Sequence, residues 1–546
     1  MQLMHSRWPT FGALVAGIGA VAAMSYVVLA DPAGETVPAT GGRFVEGVVR
    51  SPERINPLYA YANETDRDIA SLVFSGLVRL APDGAPLPDL AERWEITDNG
   101  ATYVFHLRRG VAWHDAPGAR FDAEDVVATF DAIADPEFRG DPALVQLMQG
   151  VVVTARDVRT VEFKLEEAYA PFLAYLTVGI LPAHLLGDLD ADGLYNAEFN
   201  AQPIGTGPYR VKGRSRAGVV LEANSTYYFG PPHISTIEFR TVADEGGLVE
   251  ALRSGDIDGA LFGSRAEAAA LKLLRDDGRF MLHDLAGTSS NIVYFDTRSP
   301  LFDDVDVRGA LVQAVNPRSL IDSAAGGRGE PTDTGIPAAS WAYADVAGRG
   351  FSPGAAARAL EIAGWSRGRD GIRRKGDLRL SFTLSTSNDR NRVAIAEDVA
   401  RQWRAVGAEV EVLRLDAATY IDEYLLPRAF QTALVEIDPG PDPDPYPFWH
   451  SSQVAEPGRN LAGFSSPQLD DVLQRGRQNT DMARRTELYE DFATLLIDGA
   501  PALPLYVPVS TYVQRNDVRG FEASLLFSPA SRFWNAHEWY VKTRVR

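Results

Sequence analysis

The segment IDPGPDPDPYPFWHSSQ, residues 437–453, combines acidic side chains with a rigid backbone. Proline occupies every second position from 439 to 447; Asp438 precedes the first proline, and Asp442 and Asp444 lie between later ones. Proline has no backbone N–H, so this segment cannot be a central strand and must be an edge or a loop. Carboxylates fixed in this way could pair with a cation in a water-poor cleft, and the rigid loop would lower the ordering cost.

The faces of this segment allow two interpretations. If residues 438–448 were fully extended, the aspartates would share one face with Tyr446 and Phe448, and all five prolines would point the other way. Alternatively, each aspartate caps a turn, as Asp before Pro commonly does. The residues alone leave both interpretations open.

Patterns typical of enzymes have little support. Residues 364–368 match G-x-S-x-G, but a helix is predicted before the serine, where a nucleophile elbow requires a strand. The eight histidines show no i, i+4 pair, no cysteine is present, and neither G-x-x-x-x-G-K-[ST] nor G-x-G-x-x-G occurs. We therefore expect no catalytic residue, no metal site and no cofactor.

The elements that position the acidic segment are a mixture of helices and strands. TYVFHLRRGVAWH, residues 102–114, alternates as a half-buried strand does. In the following FDAEDVVATFDAIAD, Asp122 is placed to cap a helix, with Asp125 at its third position. PIGTGPYRV, residues 203–211, predicts a tight turn that leads into a strand.

The C-terminal half predicts an α/β arrangement. From Leu378 the chain reads as strand, helix and strand, with Gly407 ending the helix. Before it, Ser352 caps a helix that Gly364 ends. Two further helices and a strand follow within residues 465–515. The fold class is therefore α/β, with more than one lobe.

Composition narrows the class of protein. A chain of 546 residues is too long for one core, and its 45% hydrophobic content supports two or three packed domains. The formal net charge of −20 argues against nucleic-acid binding, which needs basic stretches. Without cysteine, disulfides, thiolate nucleophiles and a bacterial lipid anchor are excluded.

The N-terminus predicts export. Residues 11–30 carry no charge and are long enough to cross a bilayer, whereas VLA at residues 28–30 is an acceptable cleavage site. Residues 1–30 are thus either a signal peptide or a transmembrane anchor. Both interpretations place the body outside the cytoplasm with Arg7 inside, and residues 31–42 are expected to be a flexible linker.

Several segments in the same order resemble one family. They are INPL (55–58), SGLVRLAPDGAPLPDLAERWEITDNGATYVFHLRRGVAWHD (75–115), FDAEDVVATF, GILPAHLL (179–186), PIGTGPY, LRSGDIDGALF (252–262), SPLFDDVDVRGALVQAVN (299–316) and DPDPYPFWHSSQ. Over residues 43–540 the chain resembles extracytoplasmic solute-binding protein family 5, the oligopeptide/dipeptide/nickel-binding proteins of ABC importers. The family's W-x-D-G-x-P appears here as WHDAPGAR, with a shifted glycine.

The resemblance implies a two-lobe periplasmic-binding-protein fold of type II, peptide-binding class, with mixed sheets and a hinge. Lobe I would comprise residues 43–285, with an extra subdomain at 57–204, and residues 507–546 would return to it. Lobe II would comprise residues 286–506. The extended segments 287–297 and 503–513 suit the crossings between lobes, where ligands commonly bind.

The resemblance also implies a function. The chain would be a monomer that captures oligopeptides and delivers them to an ABC permease in the membrane. In related peptide binders an acidic residue of this part of lobe II pairs with the peptide amine; Asp438 is the first choice, with Asp442 and Asp444 as alternatives. Further ligand-binding candidates are Tyr446, Trp449, Asn291 and Arg67.

Other cargoes and one other activity stay open. The same fold could bind a nickel chelate, haem or a sugar, and for nickel His450 and His114 would be the candidate ligands. A membrane-anchored peptidase is a further alternative, although the sequence has no nucleophile–base or metal pattern for it. Without a ligand, Arg67 would be a solvated helix residue and Asn291 a satisfied residue at a strand edge.

Overall fold

The strand Ala502–Arg515 runs through both parts of the molecule in the computed structural model, which describes residues 36–115 and 118–545. Its apolar residues are buried along nearly the whole length, as expected for a strand that is covered on both faces. Residues 502–508 pair with Ser290–Phe295 and Gly329–Pro331, and residues 509–515 pair with Phe280–Ala286. One strand therefore changes partners between residues 508 and 509.

The main sheet is mixed. Across it, the order of strands is Glu409–Leu415, Ser381–Ser387, Thr432–Ile437, Ser290–Phe295, Ala502–Arg515, Gly259–Phe262, Arg43–Val48, Thr236–Thr241, Gly218–Ala223 and Tyr209–Ser215. Ser381–Ser387 runs parallel to both of its neighbours, and Arg43–Val48 also runs parallel to both of its neighbours. Ser290–Phe295 and Ala502–Arg515, in the middle of the sheet, run antiparallel to the strands beside them.

Separate hydrophobic cores define two lobes. We call residues 36–286 and 509–545 lobe I. Its two buried clusters each combine side chains from residues 44–285 with side chains from residues 512–539. We call residues 287–508 lobe II, since its clusters lie between Ile292 and Tyr506. The chain crosses between the lobes at residues 287–289 and again at residue 508. The predicted α/β class with more than one lobe and mixed sheets is confirmed.

Smaller sheets belong to single lobes. Within residues 57–204, Ala91–Thr97, Thr102–Leu107, Thr160–Lys164 and Val152–Asp157 form an antiparallel sheet, and Val78–Leu80 pairs with Pro86–Pro88. This region shares one buried cluster with the rest of lobe I, so it has no separate core. In lobe II, Ser366–Arg367, Arg373–Lys375 and Leu378–Arg379 form a small sheet.

The helices begin where capping residues predict them. Asp122 and Asp125 form a capping box at Ala123–Ala134, and Ser352 caps Pro353–Ile362. The predicted strand–helix–strand unit is present, with Arg390–Ala405 between its parallel strands. Within the described ranges, the other helices of seven or more residues are Glu64–Val73, Pro142–Met148, Glu245–Ser254, Ala268–Asp276, Val305–Gln313, Pro317–Ala324, Pro467–Gln478 and Met482–Gly499.

Part of the predicted linker is folded. Thr36–Pro38 pairs with Thr543–Val545 near the C-terminus, and the backbone N–H of Gly41 donates to the carbonyl of His233 at 2.8 Å. Residues 36–42 are therefore held against lobe I and are not a free linker. Residues 1–35, which include the predicted signal or anchor, lie outside the described residues.

Candidate functional site

The parallel strands of lobe II end together beside the chain crossings. Ser381–Ser387 and Thr432–Ile437 are neighbours, and the helix Arg390–Ala405 begins just after the first of them, capped by Asp389. Ligands of α/β sheets commonly bind outside the carboxyl ends of such strands. This edge faces lobe I, where the cavity between the lobes lies.

Asp438 is the first residue after Thr432–Ile437 and is exposed. Its Oδ1 accepts hydrogen bonds from Thr288 Oγ1 at 3.0 Å and from the Gly440 backbone N–H at 2.9 Å. Thr288 belongs to a crossing between the lobes, and Gly440 has a φ of +84°, which glycine adopts readily. Within the described part of the chain no hydrogen bond reaches Oδ2, so this oxygen is available to a ligand.

A cavity of about 430 Å³ lies between the two lobes; it is lined by Glu436 of the strand that precedes Asp438, but Asp438 itself does not line it. Lobe I contributes residues 264–268, lobe II contributes residues 389–392, 394 and 395, and the crossing strands contribute Asn291 and Tyr506. The remaining lining residues are Ser323, Ala324, Ala325, Gly326, Arg328, Glu436 and Pro508. The cavity is therefore bounded by both lobes and by the crossing at residue 508.

Glu436, two residues before Asp438, joins the cavity to the crossing. Its Oε1 accepts from Ser289 Oγ at 2.8 Å, and its Oε2 lies 2.9 Å from a guanidinium nitrogen of Arg392. Arg392 stands in the first turn of the helix Arg390–Ala405. This pair neutralises one wall of the cavity and fixes the helix beside the crossing.

Arg328 is a cation of this cavity with buried donors that have no partner among the described residues. One terminal nitrogen donates to the carbonyls of Ser264, at 2.6 Å, and of Ala266, both in lobe I. Its Nε and other terminal nitrogen are buried without a hydrogen-bond partner among the described residues. Burial lowers the pKa of Arg328 from its ordinary value. Unsatisfied buried donors of this kind commonly bind water or a ligand.

Asn291 lines the same cavity as Arg328. Its backbone stands opposite Glu436 on one side and Tyr506 on the other. The residue is buried, and within the described ranges its side-chain amide makes no hydrogen bond. The structure therefore brings Asn291 and Asp438, two of the predicted ligand-binding residues, to the same crossing.

Asp442 lies in a different environment. Both of its oxygens accept hydrogen bonds from Arg485, at 2.7 and 2.8 Å, and both side chains are buried. Arg485 also donates to Tyr489 Oη and to the Gly476 carbonyl. A bidentate pair of this kind uses the whole carboxylate and leaves no oxygen for a ligand.

Asp444 is also buried, 3.5 Å from Arg477 Nε, and accepts from the Tyr446 backbone N–H at 3.1 Å. Burial raises the pKa of this carboxyl to about 6, against the opposing effect of Arg477. The guanidinium of Arg477 lies over the rings of Tyr446, at 4.4 Å, and of Tyr169 in lobe I, at 5.0 Å. We call residues 438–445 the acidic loop; its second half thus helps to join the lobes.

The interpretation of one extended face for residues 438–448 is wrong. Asp438 is exposed, whereas Asp442 and Asp444 are buried and the short helix Tyr446–Trp449 follows. The prediction of a loop for the preceding residues holds, because proline removes the donors that a ladder needs.

The remaining predicted residues lie apart from the cavity between the lobes. Tyr446 stacks on His450 with ring centroids 4.2 Å apart, and Trp449 is buried against Tyr294. Arg67 lines a second cavity in lobe I. Their roles in ligand binding stay predictions.

Sequence reasoning did not select Glu436, Arg328 or Arg392. Glu436 and Arg392 have a recognisable signal, since one lies near the end of a predicted strand and the other opens the helix after a parallel strand. Arg328 has no such signal, because it follows a helix in a glycine-rich turn whose partner loop is more than 60 residues away.

The described residues offer neither a metal site nor a helix that could span a membrane. These contain no cluster of three His, Asp or Glu side chains suited to a metal ion. His114 bonds the Gly207 carbonyl and Gly205 N–H, and His450 caps Ser451–Gln453; neither lines the cavity. No helix in this part of the chain is long and apolar enough to span a membrane.

Comparison with known proteins agrees with this architecture. Protein XP55 of Streptomyces lividans is 32% identical over 83% of this chain and 81% of its own length. Oligopeptide-binding protein AppA of Bacillus subtilis is 27% identical over 92% of both chains. The structure of NikZ from Campylobacter jejuni with Ni(L-His) superposes with a TM-score of 0.66 at 26% identity, covering 91% of this chain and 99% of that one.

The family model of the middle region of these proteins matches residues 85–456, about two thirds of the sequence. That region contains the start of lobe II, the crossing at residues 287–289 and the acidic loop. The chain belongs to the bacterial extracellular solute-binding proteins, family 5.

Proposed function

We propose that this chain is the extracytoplasmic substrate-binding component of a peptide-type ABC transporter. It captures oligopeptides between its two lobes and delivers them to a permease in the membrane. The observation that carries the proposal is Asp438, an exposed carboxylate with a free oxygen, tied to a crossing between the lobes. The relative AppA, named as an oligopeptide-binding protein, supports the cargo class.

The two ends of a peptide suit the two charged sides of this region. The α-ammonium group would meet Asp438, where a charge-assisted hydrogen bond replaces its hydration. An acidic group of the ligand would meet the free donors of Arg328, which lines the cavity. Asp438 and Arg328 both belong to lobe II, and lobe I reaches the same cavity through residues 264–268. A ligand that touches both sides would stabilise the closed arrangement of the lobes, since it contributes contacts that the open arrangement lacks.

A strand edge offers contacts that do not depend on peptide sequence. Thr432–Ile437 pairs along its length with Ser290–Phe295, but on its other side it pairs with Ser381–Ser387 only at residues 432 and 433. Among the described residues no strand covers residues 435–437 on that side. An extended peptide could add backbone hydrogen bonds there, which gives affinity for varied side chains.

The partners and location follow from the same proposal. The protein acts as a monomer outside the cytoplasm, held by residues 11–30 or released when they are cleaved. Its net charge of −20 does not suit nucleic acid. No chemical step is proposed for the cavity, because its lining has no histidine or cysteine and its Glu436 is already paired.

A nickel chelate is the second candidate cargo, favoured by the likeness to NikZ, which was solved with Ni(L-His). The cavity between the lobes offers carboxylate, amide and guanidinium groups but no imidazole, so the chelator would have to supply nitrogen ligands itself. The peptide therefore fits this lining better.

Native mass spectrometry of the full chain, purified without added ligand, tests the proposed cargo. We expect a spread of added masses that sequence as short peptides and disappear on denaturation. A single defined adduct, or bound nickel found by elemental analysis of the same sample, would replace the peptide assignment.

A further inference from the structure

A groove of about 650 Å³ lies within residues 57–204 of lobe I. Its walls are the helix Ala123–Ala134, the strand Val152–Asp157 and the segment 181–194. It shares no lining residue with the cavity between the lobes or with the cavity that Arg67 lines. The groove is therefore separate from the region to which we assign the peptide.

The helix Ala123–Ala134 has two apolar stripes, and the core covers one of them. Val126, Phe130 and Ile133 are fully buried in the main cluster of lobe I. A second stripe lines the groove with the spacing i, i+3, i+4, i+7, i+8 and i+11, which is one continuous face of a helix. Its members are Glu124, Val127, Ala128, Asp131, Ala132 and Asp135. This second stripe therefore borders the groove and not the core.

The opposite side of the groove is mostly aliphatic. Leu181, Leu186 and Leu194 line it, and Leu189 beside them is 43% exposed. The strand Val152–Asp157 stands at the edge of its sheet, and among the described residues it pairs with Thr160–Lys164 alone. An aliphatic groove beside an unpaired strand edge is typical of a surface that binds another protein.

The charged groups of the groove have one sign. Its lining includes the carboxylates of Glu124, Asp131 and Asp135 and no lysine, arginine or histidine of the described ranges. Glu124 and Asp131 are exposed, and among the described residues their carboxylates have no hydrogen bond or ion pair. Partial desolvation raises the pKa of Asp131 from its ordinary value, and a cation beside it would offset that cost.

The cations near the groove are paired with other carboxylates. His184 Nε2 lies 3.1 Å from Asp115, and a guanidinium nitrogen of Arg139 lies 3.2 Å from Asp192. Arg156, on the edge strand, pairs with Glu162 on the neighbouring strand. The negative charge of the groove is therefore available to a partner from outside.

The spacing of the three carboxylates fits a second helix. At a rise of about 1.5 Å per residue, Glu124 and Asp131 are about 10 Å apart along the helix axis, and Asp131 and Asp135 about 6 Å. A second helix laid along the groove matches this spacing when it carries cations at the same intervals and apolar side chains between them.

We propose that this groove binds a basic amphipathic helix of a partner protein. Lysine or arginine side chains of that helix pair with Glu124, Asp131 and Asp135, and its apolar face packs on the leucines of segment 181–194. The interaction is independent of the peptide cargo, because the groove and the cavity between the lobes have no residue in common.

Fluorescence anisotropy of a labelled helical peptide with the full chain tests this surface. The lysine peptide is acetylated and amidated, with lysine at its first, fifth and twelfth positions, leucine at its fourth, eighth and ninth, and alanine or glutamine elsewhere. The glutamine peptide has glutamine in place of the lysines. We expect the lysine peptide to saturate one site and to bind about tenfold more tightly, because it alone pairs with the carboxylates. Equal affinities, or no saturable binding, would overturn the proposal.

Matched substitutions locate the lysine peptide. Asp131→Asn should weaken it about threefold or more and leave the glutamine peptide unchanged. Glu92→Gln removes an exposed carboxylate at the opposite edge of the same sheet and should change neither. Equal weakening by the two variants would indicate general attraction to a chain of net charge −20 and would overturn the proposal. Displacement by saturating trialanine would place the peptide between the lobes and would also overturn it.

A blocking variant tests the groove without removing a charge. Ala128→Phe fills part of the groove from the helix wall and keeps all three carboxylates. We expect it to weaken both peptides at least tenfold while its circular dichroism matches the wild type. Normal binding of both peptides would show that they do not occupy the groove. A dimer of the wild-type chain in sedimentation that Ala128→Phe dissociates would assign the groove to a second copy and overturn the proposal.

Discussion

The two halves of the acidic loop differ more than their sequence suggests. Asp438 and Asp442 are four residues apart in the same proline-rich segment, and both follow the same pattern of Asp beside Pro. Yet Asp438 is exposed with one oxygen free, whereas Asp442 is buried with both oxygens bound by Arg485. Rigid backbone and negative charge are common to both, so they do not decide which carboxylate meets a ligand.

The difference is decided by cations elsewhere in the chain. Arg485 on the helix Met482–Gly499 and Arg477 on Pro467–Gln478 lie beneath the second half of the loop. No cation of the described residues lies within ion-pair distance of Asp438, which bonds only Thr288 and Gly440. The second half therefore anchors the loop, and the first half presents a carboxylate at the crossing between lobes.

The largest effect expected from this comparison is the loss of the anchor. Asp442→Asn leaves the buried Arg485 without its anionic partner, which costs about 3–5 kcal/mol in the free energy of unfolding. Urea denaturation followed by tryptophan fluorescence measures this change in the free energy of unfolding. Asp471→Asn, which removes an exposed pair with Arg475 in the same lobe, is the matched control and should cost less than about 1 kcal/mol.

An Asp442→Asn protein that unfolds at the wild-type urea midpoint but no longer binds peptide would contradict the comparison. That result would move the ligand role from Asp438 to Asp442.

A smaller, pH-dependent effect is expected at Asp444. Its folded pKa of about 6 lies above the ordinary value of 3.8, so between these pH values the folded state holds the proton more tightly. Stability contributed by the neutral acid is present below pH 4 and is lost as the pH rises through 6. Relative to Asp444→Asn, the wild type should lose on the order of 3 kcal/mol between pH 4 and pH 7.

Urea midpoints of both proteins at pH 4, 5, 6 and 7 measure this difference. A difference that stays constant over the range would show that Asp444 is already charged in the folded state at low pH.

The smallest effect on stability is expected at Asp438. Asparagine keeps the Oδ1 acceptor for Thr288 and Gly440, and the side chain is exposed, so Asp438→Asn should change the free energy of unfolding by less than about 1 kcal/mol. The same urea titration measures it. A loss as large as that of Asp442→Asn would give Asp438 a structural role and remove the contrast between the halves.

Local signals predicted much of the fold. Asp122 with Asp125 and Ser352 with Pro353 mark helix starts that the structure has, because capping depends on neighbouring residues. The pairing of Thr36–Pro38 with Thr543–Val545 joins segments some 500 residues apart, and no local pattern specifies it. Local sequence therefore predicts a free linker for residues 31–42, although residues 36–38 are paired in a sheet.

The candidate site was predicted in part for the same reason. The loop and its carboxylates are visible in the sequence, but their burial depends on Arg477 and Arg485, which lie on helices further along the chain. Arg328 is recognised only once the loop at residues 264–266 is placed against it. Sequence spacing does not carry that information.

Four titrations measure most directly whether Asp438 meets the amine of a peptide. Trialanine and N-acetyl-trialanine are titrated into wild-type protein and into Asp438→Asn, after bound ligand has been removed by unfolding and refolding. We expect acetylation to weaken binding to the wild type about tenfold or more, and Asp438→Asn to bind both peptides with the same reduced affinity. If Asp438→Asn still prefers the free amine by the wild-type factor, Asp438 does not hold the ligand.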